Sequence, residues 1–236
     1  MADDGTILLY PTDEIFHQTE RILVSGSSNT GKSFLIENLV RKFSKRFYKI
    51  VLCGNTNRLL EFPETKQITE YYTGKDPIYN PFLEVDSYDV KINQGKQLLI
   101  ILDDLQEHIF KSEIVSKIFS RGRHLGISVI IVLQSYFVTG SGKNILPQIK
   151  LNCTYNIFTR IRSIGEIALI AQRLEHDKEA RNFFIALFKK IVQEKRYAYL
   201  CVGLDVSDAR IRYFNNLLSE DKSDFLTVYT HNVRPT

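Results

Sequence analysis

Tryptophan is absent from the 236-residue chain and methionine occurs once, so 15 phenylalanines and 12 tyrosines must supply the aromatic side chains of any core. Cysteine is scarce as well. Cys53, Cys153 and Cys201 are odd in number, far apart and each set among strand-like apolar residues. That argues against a disulfide framework or a zinc site and predicts buried thiols in a reducing compartment. No apolar run approaches the roughly 18 residues of a membrane span, and the opening Met1, Ala2, Asp3, Asp4 is acidic where a signal peptide would be basic. A soluble, unexported protein is expected. Charge of one sign is also missing. Lys+Arg 31 against Asp+Glu 27 leaves +4, too mild to announce nucleic acid by itself and no obstacle to an anionic partner. There is no repeat, low-complexity block or Pro/Gly-rich linker to mark a boundary. One domain over 1–236 is expected, and 44% hydrophobic residues are ample for its core.

What is present is a regular alternation of two patterns. Residues 21–25 (RILVS) read as a short buried strand, followed by a polar, glycine-bearing loop and an amphipathic helix from about 33 to 47. KIVLCGN at 49–55 is another apolar strand. The stretch after it, with Pro63, Pro77 and Pro81 and several tyrosines, reads mostly as loop. LLIILDD at 98–104 and SVIIVLQS at 128–135 are continuous apolar strands on either side of a helix at about 112–122, and their lack of alternation implies burial on both faces. Strands at 153–161 and 197–204 follow, with helical patterns at about 163–173 and 176–194 between them. Strands rich in Ile, Val and Leu alternating with helices predict an α/β domain with a mostly parallel central sheet flanked by helices.

The loop after the first of these strands is Gly26-Ser27-Ser28-Asn29-Thr30-Gly31-Lys32-Ser33, a full G-x-x-x-x-G-K-[ST] match between an apolar strand and a helix. The chemistry explains the spacing. Glycines let the backbone wrap with its N–H groups aimed at phosphate oxygens, Lys32 reaches the terminal phosphates, the Ser33 hydroxyl binds Mg²⁺, and the helix N-terminus adds a favourable dipole. A glycine-serine turn would need neither the strand nor the helix. Asp103 and Asp104 end the buried strand at 98–104. An acid at such a strand tip holds Mg²⁺ in nucleotide hydrolases, which is the role expected of Asp103, and a second acid beside it can polarise an attacking water, the role expected of Asp104. Taken alone, Asp-Asp could simply end a strand. Gln134 ends the neighbouring strand. In a parallel sheet all C-terminal strand ends share one edge, where an amide can reach a terminal phosphate or its attacking water.

In this order, phosphate loop, apolar strand ending in Asp-Asp, then Arg123-His124-Leu125-Gly126-Ile127-Ser128 leading into VIIVLQ, the chain resembles the FtsK/HerA superfamily of DNA-pumping P-loop ATPases. Gly122 through Gln134, with the later Leu146-Pro147 and Asn152-Cys153-Thr154, looks like the genome-packaging ATPases of poxviruses and other large DNA viruses. Ser135-Tyr136 after the glutamine, where cellular DNA pumps have Arg-Pro, favours the viral branch. The second acid of such enzymes is often Glu, and here it is the shorter Asp104. The resemblance covers about residues 20–162; it leaves 163–236 as a C-terminal α/β extension of the same domain.

The resemblance implies a RecA-like P-loop fold, ATP and Mg²⁺ as ligands, and a motor that translocates double-stranded DNA of any sequence to package a viral genome. It also implies a homo-oligomeric ring, pentameric or hexameric, in which an arginine of one subunit completes the neighbour's site. Arg123 and Arg121, before the glutamine strand, are the first candidates; Arg160 and Arg162 are the second. Capsid-vertex or inner-membrane proteins of a virion are further implied partners, and host cytoplasm at virus assembly sites, or the virion itself, is the implied location. The basic runs 41–46, 189–190 and 195–196 are read as solvated helix faces, with DNA phosphate contact as the alternative. Tyr71, Tyr72 and Tyr79 are read as packing residues, with a pore loop as the alternative. Two other functions remain open: a P-loop small-molecule kinase, and a nucleotide-gated capsid-associated assembly module with negligible turnover.

Overall fold

A computed structural model of the chain describes residues 6–11, 19–54, 69–72, 95–109, 112–137, 146–193, 195–205, 211–216 and 225–230. Among the described residues ten strands form one sheet: β1 (Thr6–Pro11), β2 (Arg21–Ser25), β3 (Phe47–Gly54), β4 (Thr69–Tyr72), β5 (Gln97–Asp103), β6 (Ile127–Leu133), β7 (Tyr155–Phe158), β8 (Leu200–Gly203), β9 (Tyr213–Asn215) and β10 (Phe225–Thr230). Their spatial order is β1-β10-β9-β8-β7-β2-β6-β5-β3-β4. The six neighbours from β7 to β4 are all parallel, and the remaining strands are antiparallel. The helices are α1 (Lys32–Phe43), the short α2 (Gln106–Ile109), α3 (Glu113–Leu125), α4 (Leu146–Asn152), α5 (Ile164–Leu174) and α6 (Lys178–Phe188).

The continuous apolar runs are central strands because helices cover both faces of the sheet. Along β5, Leu99 and Ile101 point into the layer formed with Leu35, Ile36, Leu39 and Val40 of α1. Leu98, Ile100 and Leu102 point the other way, toward Val115, Ile118 and Phe119 of α3, Ile149 of α4, Ile167 and Ile170 of α5 and Phe184 and Phe188 of α6. Side chains alternate across a strand with period two, so a run without polar gaps fills both layers at once. Ser112, Ser163 and Asp177 cap α3, α5 and α6 by accepting the N–H groups of Val115, Glu166 and Ala180. Each such cap stabilises its helix by about 1 kcal/mol. All three cysteines are buried free thiols, as expected, and burial lifts Cys53 and Cys153 to about 12.

The C-terminal extension joins the same sheet but reverses it. The strand expected over 197–204 is β8, antiparallel to β7 with Tyr155 opposite Gly203, and β9, β10 and β1 continue that pattern. The long helical pattern at 176–194 is α6 followed by a single π-turn over Lys189–Gln193. Within the stretch read mostly as loop, β4 adds a parallel strand beside β3 and carries Tyr71 and Tyr72; Tyr79 lies outside the described residues. No helix among the described residues is long and apolar enough to cross a membrane.

Candidate phosphate and catalytic site

The six parallel strands point their C-terminal ends to one edge, and the exit of β2 is the loop Gly26–Ser33. The loop is stitched to both neighbouring strand ends. Gly26 N–H donates to Leu133 O at the end of β6 (3.3 Å), and Ser27 N–H donates to Arg160 O beyond β7 (2.9 Å). Gly26 has φ +156°, and a Cβ there would lie 2.0 Å from Thr159 Oγ1, so the approach of the two segments admits only glycine. Thr30 Oγ1 donates to Ser27 O at 2.8 Å and lies 2.7 Å from Thr159 Oγ1. Gly31, at φ +87°, turns the chain into α1. The first N–H groups of a helix have no acceptor within it, so this end of α1 presents donors and a positive dipole to the loop.

Lys32 Nζ donates to Gly26 O and Ser27 O, both at 2.7 Å. The ammonium thus sits inside the curl of the loop. Burial lowers its pKa, and the carboxylates of Asp103 and Asp104 act against that loss. Asp103 closes β5 opposite Gly54 and Val132. Asp104 follows in left-handed backbone at φ +56°, a conformation that Asp and Asn tolerate better than other non-glycine residues. Its Oδ1 accepts from Gln134 Nε2 at 2.8 Å, and Gln134 Oε1 in turn accepts from Ser28 Oγ at 3.4 Å. A chain of polar contacts therefore runs from the phosphate loop through the amide to the carboxylate.

The structure thus gathers Gly26 to Ser33, Asp103, Asp104 and Gln134 at one sheet edge, where the sequence put them. It does not bring Arg121 and Arg123 to that edge within one chain. Both are exposed near the C-terminal end of α3, at the opposite edge of the sheet, with the seven residues of β6, roughly 20 Å of strand, in between. Arg123 Nη2 pairs there with Asp205 Oδ2 at 2.7 Å. Arg160 and Arg162 are exposed at the loop's own edge. In the basic run 41–46, Arg41 pairs with Glu37 one turn earlier and Arg46 lies over the Phe43 ring, as a helix face would have it.

Three partners of the site carried no signal in the sequence. Thr159 is buried against Gly26 and Thr30, Tyr197 packs on Gly31, and Glu166 Oε1 lies 2.8 Å from Ser135 Oγ and accepts Tyr136 N–H, fixing the turn after Gln134. Among the described residues no three His, Cys, Asp or Glu side chains cluster as a metal cage. Ser33 and Asp103 instead offer hard oxygen donors beside the loop, a set that suits Mg²⁺, which keeps most of its waters and arrives with substrate phosphates.

Residues 10–213 match the sequence family described as Poxvirus A32 protein. The chain belongs to that family. The match reaches past residue 162 and takes in most of the extension, so the residues of α5, α6 and β8 lie within it. Among solved structures, the fold is similar to that of the genome packaging NTPase B204 from Sulfolobus turreted icosahedral virus 2 in complex with ATP-gammaS. That match has TM-score 0.57 and 16% identity and covers 92% of this chain and 100% of that one. The DNA-packaging ATPase B204 from Sulfolobus turreted icosahedral virus gives TM-score 0.58 at 15% identity, over 91% of this chain and 98% of that one. The pCW3 conjugation coupling protein TcpA in monomer form with ATPgS gives 0.57 at 15% identity, over 94% of this chain and 68% of that one. At such identities these likenesses speak for a shared P-loop NTPase fold. No curated protein sequence matches the chain.

Proposed function

We propose that this member of the poxvirus A32 family is an ATP-hydrolysing motor that moves double-stranded DNA and packages a viral genome into its capsid. The observation that carries the reading is the convergence of Lys32, Asp103, Asp104 and Gln134 at the mouth of the Gly26–Ser33 loop. A small-molecule kinase has no need of a carboxylate and an amide bonded to each other and aimed where water would attack. The proteins of like fold include one described as a genome packaging NTPase and one described as a DNA-packaging ATPase.

In this reading Lys32 exchanges the Gly26 and Ser27 carbonyls for oxygens of the β- and γ-phosphates, and the loop N–H groups bind the rest of the chain of phosphates. Mg²⁺ held by Ser33 and Asp103 would supply charge neutralisation at those phosphates. Gln134 orients a water, Asp104 accepts its proton as the oxygen attacks the γ-phosphorus, and the bond to the ADP oxygen breaks. Arg123 or Arg121 of a neighbouring subunit stabilises the charge on the transferring phosphoryl group. A contact that joins one subunit's loop edge to the next subunit's α3 edge is head-to-tail, and in a pump encircling DNA it must close into a ring, here of five or six subunits.

The test is phosphate release with and without random-sequence duplex DNA over a salt series, beside sedimentation with and without ATP. Stimulation by any duplex that fades as salt rises is expected, because phosphate contacts release counterions on binding. A chain that stays monomeric, with turnover indifferent to DNA, would overturn the motor reading in favour of the kinase.

A further inference from the structure

The backbone departs from regular structure where the C-terminal extension touches the phosphate loop. After α6 the π-turn Lys189–Gln193 widens the helix, and Gln193 Nε2 donates to Ile161 O, next to the residue whose carbonyl holds Ser27. π-turns inside or at the end of helices recur at functional sites. Tyr197 then stands at φ +63°, with its ring so close over Gly31 that a Cβ there would come within 2.9 Å of Cδ1. Tyr197 is nevertheless 52% exposed, and the guanidinium of Arg196, an exposed residue, lies 4.8 Å from its ring centroid. An aromatic ring left half in water by a strained left-handed backbone contributes little to the core. Position explains it better.

The loop has two flanks. Asp104 and Gln134 come from β5 and β6 on one side, whereas Thr159 and Tyr197 stand on the β7 side. A nucleotide whose γ-phosphate meets Asp104 and Gln134 leads its ribose and base toward the other flank, where an exposed ring already carries a flat cation on one side.

We infer that Tyr197 is the platform on which the nucleobase of the bound nucleoside triphosphate stacks, in the place that Arg196 covers. The inference rests on the nucleotide reading of the Gly26–Ser33 loop. Stacking of a base on an aromatic side chain is worth roughly a tenfold or greater gain in affinity. Arg196, with its head in solvent, yields the ring face or closes over the base.

Because the chain lacks tryptophan, Tyr197→Trp installs a single reporter. Its emission should be quenched by MgATP and not by magnesium tripolyphosphate, which has the phosphates and no base. Tyr197→Ala should weaken MgATP binding about tenfold or more and leave tripolyphosphate binding unchanged; Tyr197→Phe should keep both near wild type. Equal weakening of both ligands in Tyr197→Ala would make the ring a structural cover for Gly31 and overturn the proposal, as would unchanged MgATP affinity. Wild-type protein that binds neither ligand would refute the phosphate site itself. Tripolyphosphate binding without any Tyr197-dependent gain for ATP would refute the platform alone.

Discussion

In Asp104→Asn one carboxylate oxygen becomes an amide nitrogen, and the turn around it has no reason to change. Asparagine tolerates φ +56° as aspartate does, and its remaining Oδ1 can still accept the 2.8 Å hydrogen bond from Gln134 Nε2. Asp104→Ala, by contrast, puts a residue without such tolerance into left-handed backbone, at a cost of about 1–2 kcal/mol, which for a domain of this size lowers the melting temperature by roughly 2–8 °C. The asparagine variant should therefore melt with the wild type. Its chemistry should differ sharply. A positioned general base contributes about 10²–10⁴ in rate, and Asp104→Asn should lose turnover by that factor. Nucleotide affinity should hold or tighten, because one negative charge is gone from beside the phosphates while Lys32 keeps its place in the loop. Phosphate release under saturating MgATP and duplex DNA gives the rate, and a fluorescent-nucleotide titration gives the affinity. Turnover within about threefold of wild type would refute Asp104 as the proton acceptor.

Lys32→Met should abolish tight nucleotide binding in the same titration, since it removes the charge that faces the terminal phosphates. If Arg123 acts in trans, neither Arg123→Ala nor Lys32→Met rings should turn over, yet mixed rings should recover activity where an intact loop meets an intact arginine; co-assembled mixtures that stay inactive would exclude it. The Arg123→Ala melt should barely move, because the pair with Asp205 is solvent-exposed and worth no more than about 1 kcal/mol. The fold should lose stability above about pH 8.5. Burial lifts Cys53 and Cys153 to about 12 and Cys201 well above the ordinary range, so the unfolded chain releases these protons first. The thiol contribution is complete below that range and falls by up to about 1.4 kcal/mol per pH unit per thiol as pH climbs toward 12. Lys150, pushed down to about 8 by burial, and Lys32, lowered by burial as well, oppose this in part until about pH 10.4, without outweighing the three thiols. Urea midpoints at pH 8 and 10 should drop in wild type and drop less in Cys201→Ala, and a midpoint that rises would sink the argument.

The parts of the site that the sequence displayed are those whose chemistry fixes a local spacing. Gly26, Gly31, Lys32 and Ser33 lie within one turn of chain, and Asp103, Asp104 and Gln134 each end a strand recognisable by its apolar run. What stayed hidden depends on residues distant in sequence. Thr159 has to abut Gly26 and Tyr197 has to abut Gly31, but a threonine after a strand and a tyrosine in a turn look ordinary until β7 and β8 are laid beside β2. Strand direction was hidden too, since AYLCVGL has the same apolar texture whether its neighbour runs with it or against it. Only the length of the connection could hint at it, and α5, α6 and the π-turn between β7 and β8 are long enough for a parallel crossover. β1, at the rim, has an apolar run from Ile7 to Tyr10 as unbroken as that of central β2, so its edge place was not legible from texture either.

The pairing of β1 with β10 has a consequence for how the protein is made. Thr6 is opposite Thr230, so the first described strand cannot find its partner until residues 225–230 have been synthesised. At about 5–20 residues per second that is a wait of roughly ten seconds to most of a minute. None of the parallel strands from β2 to β7 pairs with β10, so their ladder can assemble while the ribosome is still at work, leaving Val228 of β10 to complete the layer over α1 afterwards. During that interval β1 carries unsatisfied backbone donors and acceptors, a template for another nascent chain from the same message. Antiparallel pairing with β10 satisfies one edge of β1, and a ribosome that stalls before residue 225 releases a product in which that edge too is open.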